Sequence, residues 1–343
     1  MHDAENPNQV FLRLNGLPSD HEPPPDETFF FLDGMGQWKI HGTNLDDRLQ
    51  SVASDIHIAL EAIFLNDAKA YLVWSSLPTF ILGGGFHADV AISRDSFTKM
   101  INIYFDSIND NEQMKSFINS FMYLSDLQRL VSNIQECNDE ISQLRGEFYR
   151  SLNLDDLRTA AKDGVVWLRN PTTTRIHANL GFIYIRMYSL LDYITKLMYE
   201  VQHFHSDFST YPVMKSTKIQ FGDKKKVDID QKYGTVFGKS DTISEIETLR
   251  HHLIHDGFFD EFPRVYIRFD NSIQIEKFIL MPDMISGRLT KFKNRRLFYG
   301  SEVKWNLRLP ALIADFQLLQ VNTLLIILEN LRNLEQTLAR SSK

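Results

Sequence analysis

The sequence predicts a mainly α-helical protein. Its C-terminal part is predicted to be a helical bundle with an inserted β-hairpin, and its N-terminal part an α-rich (α+β) region. Apolar residues recur at helical spacing through the long segments 173–203 and 309–334, which indicates one buried face on each. Between these segments, two runs of alternating residues, 265–269 and 272–276, flank Asp270-Asn271 as the strands of a hairpin flank its turn.

The length of the chain allows two domains, because 343 residues with 43% hydrophobic side chains can fill two cores. Proline disfavours a helical conformation in the residue before it, so Asn170-Pro171 is the predicted boundary. We therefore predict an acidic N-terminal region over residues 1–170, with no assigned role, and the helical bundle over residues 171–343.

Within the N-terminal region, Pro23-Pro24-Pro25, Gly34 and Gly36 separate short apolar runs that are typical of strands: 10–14, 28–32 and 38–40. Helical spacing follows over residues 45–65. The triplet 83–85, Gly-Gly-Gly, is predicted to be a turn, since no phosphate-loop pattern surrounds it. Residues 94–168, rich in acidic and amide side chains, are predicted to form three or four helices.

The C-terminal part begins with the long helix over residues 173–203, followed by a mobile basic loop over 206–240. A second helix is predicted from Asp241 or Thr242 to Gly257, with Thr242 and Glu245 as a capping box and the glycine as the C-terminal cap. The hairpin, a basic stretch and the last helix complete the bundle.

Composition also bears on location. The first eight residues lack the basic and apolar regions of a secretory signal, and the one cysteine, Cys137, cannot form an intramolecular disulfide. The most apolar stretch, 307–334, is interrupted by polar side chains such as Asp315 and Gln320, so a buried core helix is predicted there and no membrane span. These features predict a cytoplasmic protein without membrane contact.

The charge is unevenly distributed. Residues 1–150 hold 10 Lys+Arg and 22 Asp+Glu, a net charge of -12, and residues 151–343 hold 27 and 22, a net charge of +5. A basic surplus in one half allows local binding of a polyanion by an acidic protein, because steering depends on the field of the patch. Alternatively, these charges are ordinary solvated surface.

Residues 247–257, Glu-Thr-Leu-Arg-His-His-Leu-Ile-His-Asp-Gly, carry the predicted chemistry. Helical spacing places Glu247, His251 and His255 in one row, and the long side chain of Arg250 can reach that row from its edge. An Arg that binds phosphate beside a His that exchanges protons near neutral pH is suited to phosphodiester chemistry. The opposite side of the helix is predicted to be buried: Ile243, Ile246, Leu249, Leu253 and Ile254.

This motif resembles that of the HEPN superfamily of helical nucleotide-binding and ribonuclease domains. The signature of the family is an Arg, four to six residues, then a His, commonly with a polar residue directly after the Arg. Arg250 and His255 match the signature pair, and His251 takes the polar position. The resemblance extends as a loose bundle pattern over about residues 171–337.

The resemblance implies a metal-independent endoribonuclease that needs no cofactor and whose active site forms across a homodimer. His255 would move protons while a ribose 2′-OH attacks the adjacent phosphate, leaving a 2′,3′-cyclic phosphate, and Arg250 would stabilise the phosphorane. His251 and Glu247 would be supporting residues. A defence or toxin role is also implied, with a protein antitoxin or regulator as a further partner.

Two basic clusters are candidates for binding single-stranded RNA, because cations with interleaved aromatic side chains can follow a backbone and stack bases. Ordinary solvated loops would have the same composition. The candidate residues are Lys224, Lys225, Lys226, Lys293, Arg295 and Arg296.

The motif is also consistent with roles that involve no catalysis. In a structural role, Arg250 would pair with Asp192 or Glu247, and His255 would sit favourably at a helix C-terminus. A non-catalytic protein of the same fold would only bind partners.

A metal-dependent phosphohydrolase of the HD type is a further alternative. His251 and His255, one helical turn apart, can share a metal, and His255-Asp256 resembles the doublet of that family, which needs another His upstream and an Asp downstream. The available candidates are His203, His205 and Asp315.

Overall fold

The computed structural model describes residues 10–64, 74, 75, 77–108, 111–157 and 163–341, with side chains as far as residue 337. The protein is helix-rich with small antiparallel sheets, which confirms the predicted helical class. It divides into two compact units that are interleaved in sequence. The first unit comprises Met1–Leu49, Glu136–Leu191 and Gln231–Asn322, and the second Gln50–Gln135, Asp192–Asp230 and Thr323–Lys343. Each unit therefore draws residues from both sides of the predicted boundary at Asn170-Pro171.

A four-stranded antiparallel sheet belongs to the first unit, with strand order β2-β1-β3-β4. Its inward side chains, Leu12, Phe30 and Trp38, are buried, and the Phe30 ring stacks on Tyr149 at 4.2 Å between centroids. The predicted strands at 10–14, 28–32 and 38–40 are confirmed. The strands are β1 (Phe11–Arg13), β2 (Pro18–Ser19), β3 (Phe29–Leu32) and β4 (Trp38–Ile40).

The helices that follow with both ends in the described residues are α1 (Leu45–Phe64), α2 (Thr79–Gly83), α3 (Arg94–Ser107) and α4 (Glu112–Leu154). The expectation of three or four helices over residues 94–168 was wrong. Residues 112–154 form one helix of 43 residues because no proline interrupts them. Its one glycine, Gly146, lies against the Trp38 ring, where an added Cβ would clash. Residues 164–168, also predicted helical, form the strand β5 (Gly164–Leu168).

Helix α5 (Pro171–Gln202) begins two residues before its predicted start at residue 173. Asn170 caps it, since its side-chain oxygen accepts a hydrogen bond from the Thr173 backbone N at 2.9 Å. After α5, the segment predicted as a mobile loop contains two short 3-10 helices, Lys215–Lys218 and Phe221–Lys226. The buried Glu200 carboxylate accepts a hydrogen bond from the Ser216 backbone N at 2.7 Å, which fixes this segment.

The motif helix is α6 (Asp241–His255), which confirms its predicted limits. Gly257, with a φ of 113°, ends it by donating its backbone N–H to the His252 carbonyl at 3.0 Å. The capping-box prediction was wrong. Thr242 and Glu245 are buried within the helix, and the Ser240 at the N-cap position makes no side-chain capping bond.

The predicted hairpin is confirmed as β6 (Val265–Asp270) and β7 (Ile273–Phe278), which turn through Asn271 and Ser272. β5 adds a third antiparallel strand, in the order β5-β6-β7. A smaller hairpin, β8 (Met284–Ile285) and β9 (Arg288–Leu289), follows and contacts α6.

The last helix is α7 (Trp305–Ser341). Among the described residues it is the one helix long and apolar enough, by length and composition alone, to cross a membrane, with a mean hydropathy of 1.8. However, 56% of the most apolar segment of this helix is buried inside the protein, as expected of a core helix.

Candidate functional site

The motif helix α6 is fixed in the first unit by its apolar side. Ile243, Ile246 and Leu249 are buried, as the helical spacing predicts. Ile254 departs from that prediction, because it lies in the last turn and its side chain is 49% exposed. The C-terminal turn of the motif helix therefore presents an apolar side chain to solvent next to its histidines.

A buried carboxylate joins the motif helix to the two neighbouring helices. Glu245 accepts hydrogen bonds from the Arg308 guanidinium of α7 at 2.9 Å and from the Tyr184 hydroxyl of α5 at 3.3 Å. Burial raises the pKa of the Glu245 carboxyl, and Arg308 opposes this shift by favouring the charged form. This three-residue contact sets the position of α6 and therefore of the side chains on its other face.

The predicted row of polar side chains is present on that face. Glu247 is half-buried, and His251 and His255 are exposed. The two imidazole rings lie together, with their centroids 4.5 Å apart. Two imidazoles in contact can divide acid and base roles between them, because one can be protonated while the other is neutral.

Arg250 packs on an aromatic ring. Its guanidinium carbon lies 4.6 Å from the centroid of the Tyr188 ring of α5. Within the described residues, no carboxylate lies within ion-pair distance of Arg250, and Asp192, one proposed partner, accepts a hydrogen bond from the Phe221 backbone N. The guanidinium edge is therefore available to an anion.

A cavity of about 590 Å³ lies against the motif helix; it is called the site cavity below. Its cationic side chains are Arg250, Arg288, Lys291 and Arg296, and its one carboxylate is that of Glu247. Four cations against one carboxylate make the site cavity suited to an anion. The full lining is Tyr188, Ser244, Glu247, Thr248, Arg250, His251, His252, Arg288, Leu289, Lys291 and Arg296.

The hairpin of β8 and β9 brings two of these cations to the motif helix. Ser286 and Gly287, both with positive φ, form its turn. A Cβ on Gly287 would lie 2.7 Å from the Glu245 backbone N, so only glycine allows the turn to pack this closely on the first turn of α6. Arg288 and Lys291 then face the same cavity as Arg250.

His252, to which the motif pattern assigned no role, also lines the site cavity. It is buried, and its Nε2–H donates to the Phe258 carbonyl at 3.1 Å. Its Nδ1 lies 3.4 Å from a carboxylate oxygen of Asp256, which also binds Arg296. Within the described residues His252 Nδ1 has no hydrogen-bond partner, and Asp256 joins the end of the motif helix to the basic stretch through its ion pair with Arg296.

His255 does not line the site cavity. Its ring lies beside His251 on the exposed side of the same helix turn. The predicted catalytic pair is thus divided, with Arg250 at the cavity and His255 facing solvent.

The predicted RNA-binding residues have different surroundings. Arg296 lines the site cavity, and Arg295 lines a second cavity that shares a wall with it. Lys293 lies at the tip of a tight turn with a φ of 54°. Lys224, Lys225 and Lys226 belong to the second unit; Lys224 lies over the Phe221 ring at 4.1 Å and Lys226 pairs with Asp223 at 2.9 Å.

The ligand set of the HD-type alternative is not assembled. In the described part of the chain, no three His, Cys, Asp or Glu side chains are placed to share a metal ion. Asp256, next to His255, is held by Arg296.

Comparison of this chain with family models, with curated proteins and with solved structures finds no match.

Proposed function

We propose that the protein is an endoribonuclease that cleaves single-stranded RNA by attack of the ribose 2′-OH on the adjacent phosphate, without a metal cofactor. The observation that carries the proposal is the site cavity, in which four cations meet the His251 imidazole at the face of the motif helix, with the His255 imidazole in contact with His251. A phosphodiester carries the charge that such a cavity accepts, and the imidazoles supply the proton transfers that its cleavage needs.

In this proposal the phosphate binds at Arg250, Arg288 and Lys291. A guanidinium binds two phosphate oxygens at once, so Arg250 stabilises the additional negative charge of the phosphorane. Tyr188 fixes the guanidinium from behind, which leaves its N–H edge to the phosphate. Glu247 is the one carboxylate of the cavity. Its negative charge repels the phosphate, which therefore binds nearer to the cations.

The proton transfers are assigned to His251 and His255. One imidazole takes the proton of the 2′-OH as its oxygen bonds to phosphorus, and the P–O5′ bond breaks as the departing oxygen receives a proton from the other. The products are a 2′,3′-cyclic phosphate and a 5′-hydroxyl. His251 lines the site cavity and His255 contacts it from the solvent side, with 4.5 Å between the ring centroids, so the two imidazoles are adjacent to the proposed phosphate site.

The exposure of His255 supports a homodimer of HEPN type, in which two motif helices meet and each site receives a His255 from its own or the other chain. The exposed Ile254 beside it supplies an apolar contact for such an interface. A cytoplasmic location, and control by a protein antitoxin or regulator, belong to the same proposal.

The test is cleavage of a labelled single-stranded RNA by the purified protein in EDTA. We expect products that end in cyclic phosphate. Arg250→Ala and His255→Ala should each reduce the rate by about 10² or more, since each removes a group that acts mainly in the transition state. Arg332→Ala, an exposed arginine on α7, is the matched control and should cut normally.

Two outcomes would contradict the proposal. Activity that EDTA abolishes and Mn²⁺ restores would favour a metal-dependent phosphohydrolase. Folded wild-type protein that binds RNA but never cuts it would be a non-catalytic binding protein.

A further inference from the structure

A second cavity, of about 790 Å³, adjoins the site cavity in the first unit. His252 and Arg296 line both cavities, so the two share a wall. A chain bound at the site cavity can therefore continue into the second one. The second cavity is lined by His252, Asp256, Asp260, Glu261, Arg264, Asn294, Arg295, Arg296, Leu297, Phe298 and Tyr299.

The charges of the second cavity are largely compensated. Asp256 pairs with Arg296, and Asp260 lies 3.5 Å from Arg264. The rest of the lining consists of the rings of His252, Phe298 and Tyr299, the Asn294 amide, Leu297 and one charge of each sign, Glu261 and Arg295. Phe298 and Asn294 are exposed. A lining of this kind is suited to a nucleobase, which has a flat face for stacking and an edge for hydrogen bonds.

Arg264 leads from the second cavity to an exposed aromatic cluster. Its guanidinium carbon lies 5.2 Å from the Trp167 ring centroid and 5.8 Å from that of Phe262. Arg169 also lies over Phe262, at 4.8 Å from its ring centroid. These four residues, Trp167, Phe262, Arg169 and Arg264, are called the Trp167 platform below.

The strand register explains why Trp167 is exposed. In β5, Val166 and Leu168 pair with Ile267 and Val265, which are buried against the core. Trp167 therefore points to the opposite, open face of the sheet, where its side chain is 58% exposed. The exposed Trp167 ring beside the Arg264 guanidinium offers a flat apolar face and a cationic edge to a ligand.

Resting on the proposed ribonuclease function, we propose that the RNA strand runs from the site cavity through the second cavity and stacks a base on the Trp167 platform. The platform offers what single-stranded RNA requires, namely flat rings for the bases and guanidinium groups for the phosphates. It is continuous with the site cavity through Arg264, His252 and Arg296. The occupant is RNA because the Arg169 and Arg264 guanidinium groups lie beside the Phe262 and Trp167 rings, at the end of a path that starts at the cations of the site cavity.

The platform predicts that affinity depends on RNA length. A trinucleotide occupies the site cavity alone, whereas a strand of twelve nucleotides also reaches Trp167. The probes are 2′-O-methyl oligonucleotides, which cannot be cleaved because the attacking hydroxyl is blocked. Their binding is measured by fluorescence anisotropy, so that affinity is read independently of catalysis.

We expect Trp167→Ala to weaken binding of the twelve-nucleotide strand about tenfold and to leave the trinucleotide unchanged, because loss of one stacked base has an effect of this size. Trp167→Phe should retain most of the affinity, since it keeps an aromatic ring at the same position of β5. Tyr233→Ala, which removes an exposed aromatic side chain outside both cavities, is the control and should bind as wild type.

The outcomes distinguish the platform from the nuclease. Equal affinities of wild type and folded Trp167→Ala for the long strand overturn the platform, whether or not RNA is cut. Length-dependent binding that requires Trp167, in a protein that cuts nothing, supports the platform and overturns the nuclease. If neither oligonucleotide binds to folded protein, both proposals are wrong.

Discussion

Three of the four cations in the site cavity have no ion pair within the described residues: Arg250, Arg288 and Lys291. Most other described arginines of the first unit form ion pairs, as Arg145 does with Asp46 at 3.3 Å, whereas Arg48, Arg169 and Arg295 do not. Like charges that converge without a counter-charge destabilise the folded state, and a bound anion removes that repulsion. The arrangement of single residues therefore favours a role in binding over a role in stability.

A prediction at the residue scale concerns His177, which is buried on α5 and donates from Nε2 to the Arg264 carbonyl at 3.0 Å. Burial lowers its pKa in the folded protein below the ordinary 6.5. Below pH 6.5 the unfolded chain therefore binds a proton that the folded protein does not. The stability that neutral His177 contributes is complete above that pH and falls as the pH decreases, by at most about 1.4 kcal/mol per pH unit.

The measurement is urea unfolding at pH 7 and pH 5, for wild type and His177→Gln. Glutamine keeps an N–H donor but does not titrate. We expect a smaller loss of unfolding free energy between the two pH values in the variant. Equal losses in both proteins would mean that other groups account for the whole pH dependence.

At the scale of elements, the hairpin of β8 and β9 depends on one glycine for its position on α6. Gly287→Ala should weaken RNA binding strongly, because the new Cβ would meet the first turn of the motif helix and displace Arg288 and Lys291. The backbone change alone, a residue with a φ of 72°, should cost roughly 1 kcal/mol. Binding to an uncleavable RNA and thermal unfolding measure the two effects separately.

Gly36→Ala is the matched control. Gly36 has a φ of 77°, but nothing lies within 4 Å of the Cβ that alanine would add. We expect a similar loss of stability with unchanged RNA affinity. A weakened affinity in both variants would show that strain in the fold, rather than the hairpin contact, controls binding.

The elements that were predicted correctly have strong local signals. α5 and α6 have helical periodicity and terminal residues that stop a helix, and β6 and β7 alternate around a short turn. β5 was missed because its exposed positions carry the apolar side chains of Val165 and Trp167. Polar and apolar residues therefore do not alternate along its sequence. Its conformation depends on pairing with β6, which is distant in sequence and gives no local signal.

The candidate site was predicted only where the motif helix carries it. Helical spacing was sufficient to place Glu247 and His251 on one face. Arg288 could not be assigned, because its strand has two residues and reaches the site through the turn at Gly287. His252 was assigned no role, and its place at the cavity depends on tertiary contacts that the sequence pattern does not show.

At the scale of the whole molecule, the interleaving of the two units has a physical cause. Each of the long helices α4, α5 and α7 contributes residues to both units. A domain boundary can be recognised in a sequence only when each unit is one continuous segment. Here each unit consists of three separate segments. The helix break at Asn170-Pro171 is therefore a helix start within the first unit.

The last prediction concerns the assembly. Ile254 and Phe258, 49% and 46% exposed, lie on either side of His255, and a two-fold contact through them would bring two motif helices together. We expect light scattering to give the mass of two chains of 39.9 kDa each. Ile254→Glu should give single chains, because it places a charge opposite its own copy in an apolar contact, and RNA cleavage should fall with dimer content.

Ile58→Glu, at a similarly exposed isoleucine on α1, is the control and should remain dimeric and active. Wild-type protein that stays a single chain at high concentration and still cuts RNA would show that each chain holds a complete site, with His251 rather than a second chain's His255 completing the proton transfers.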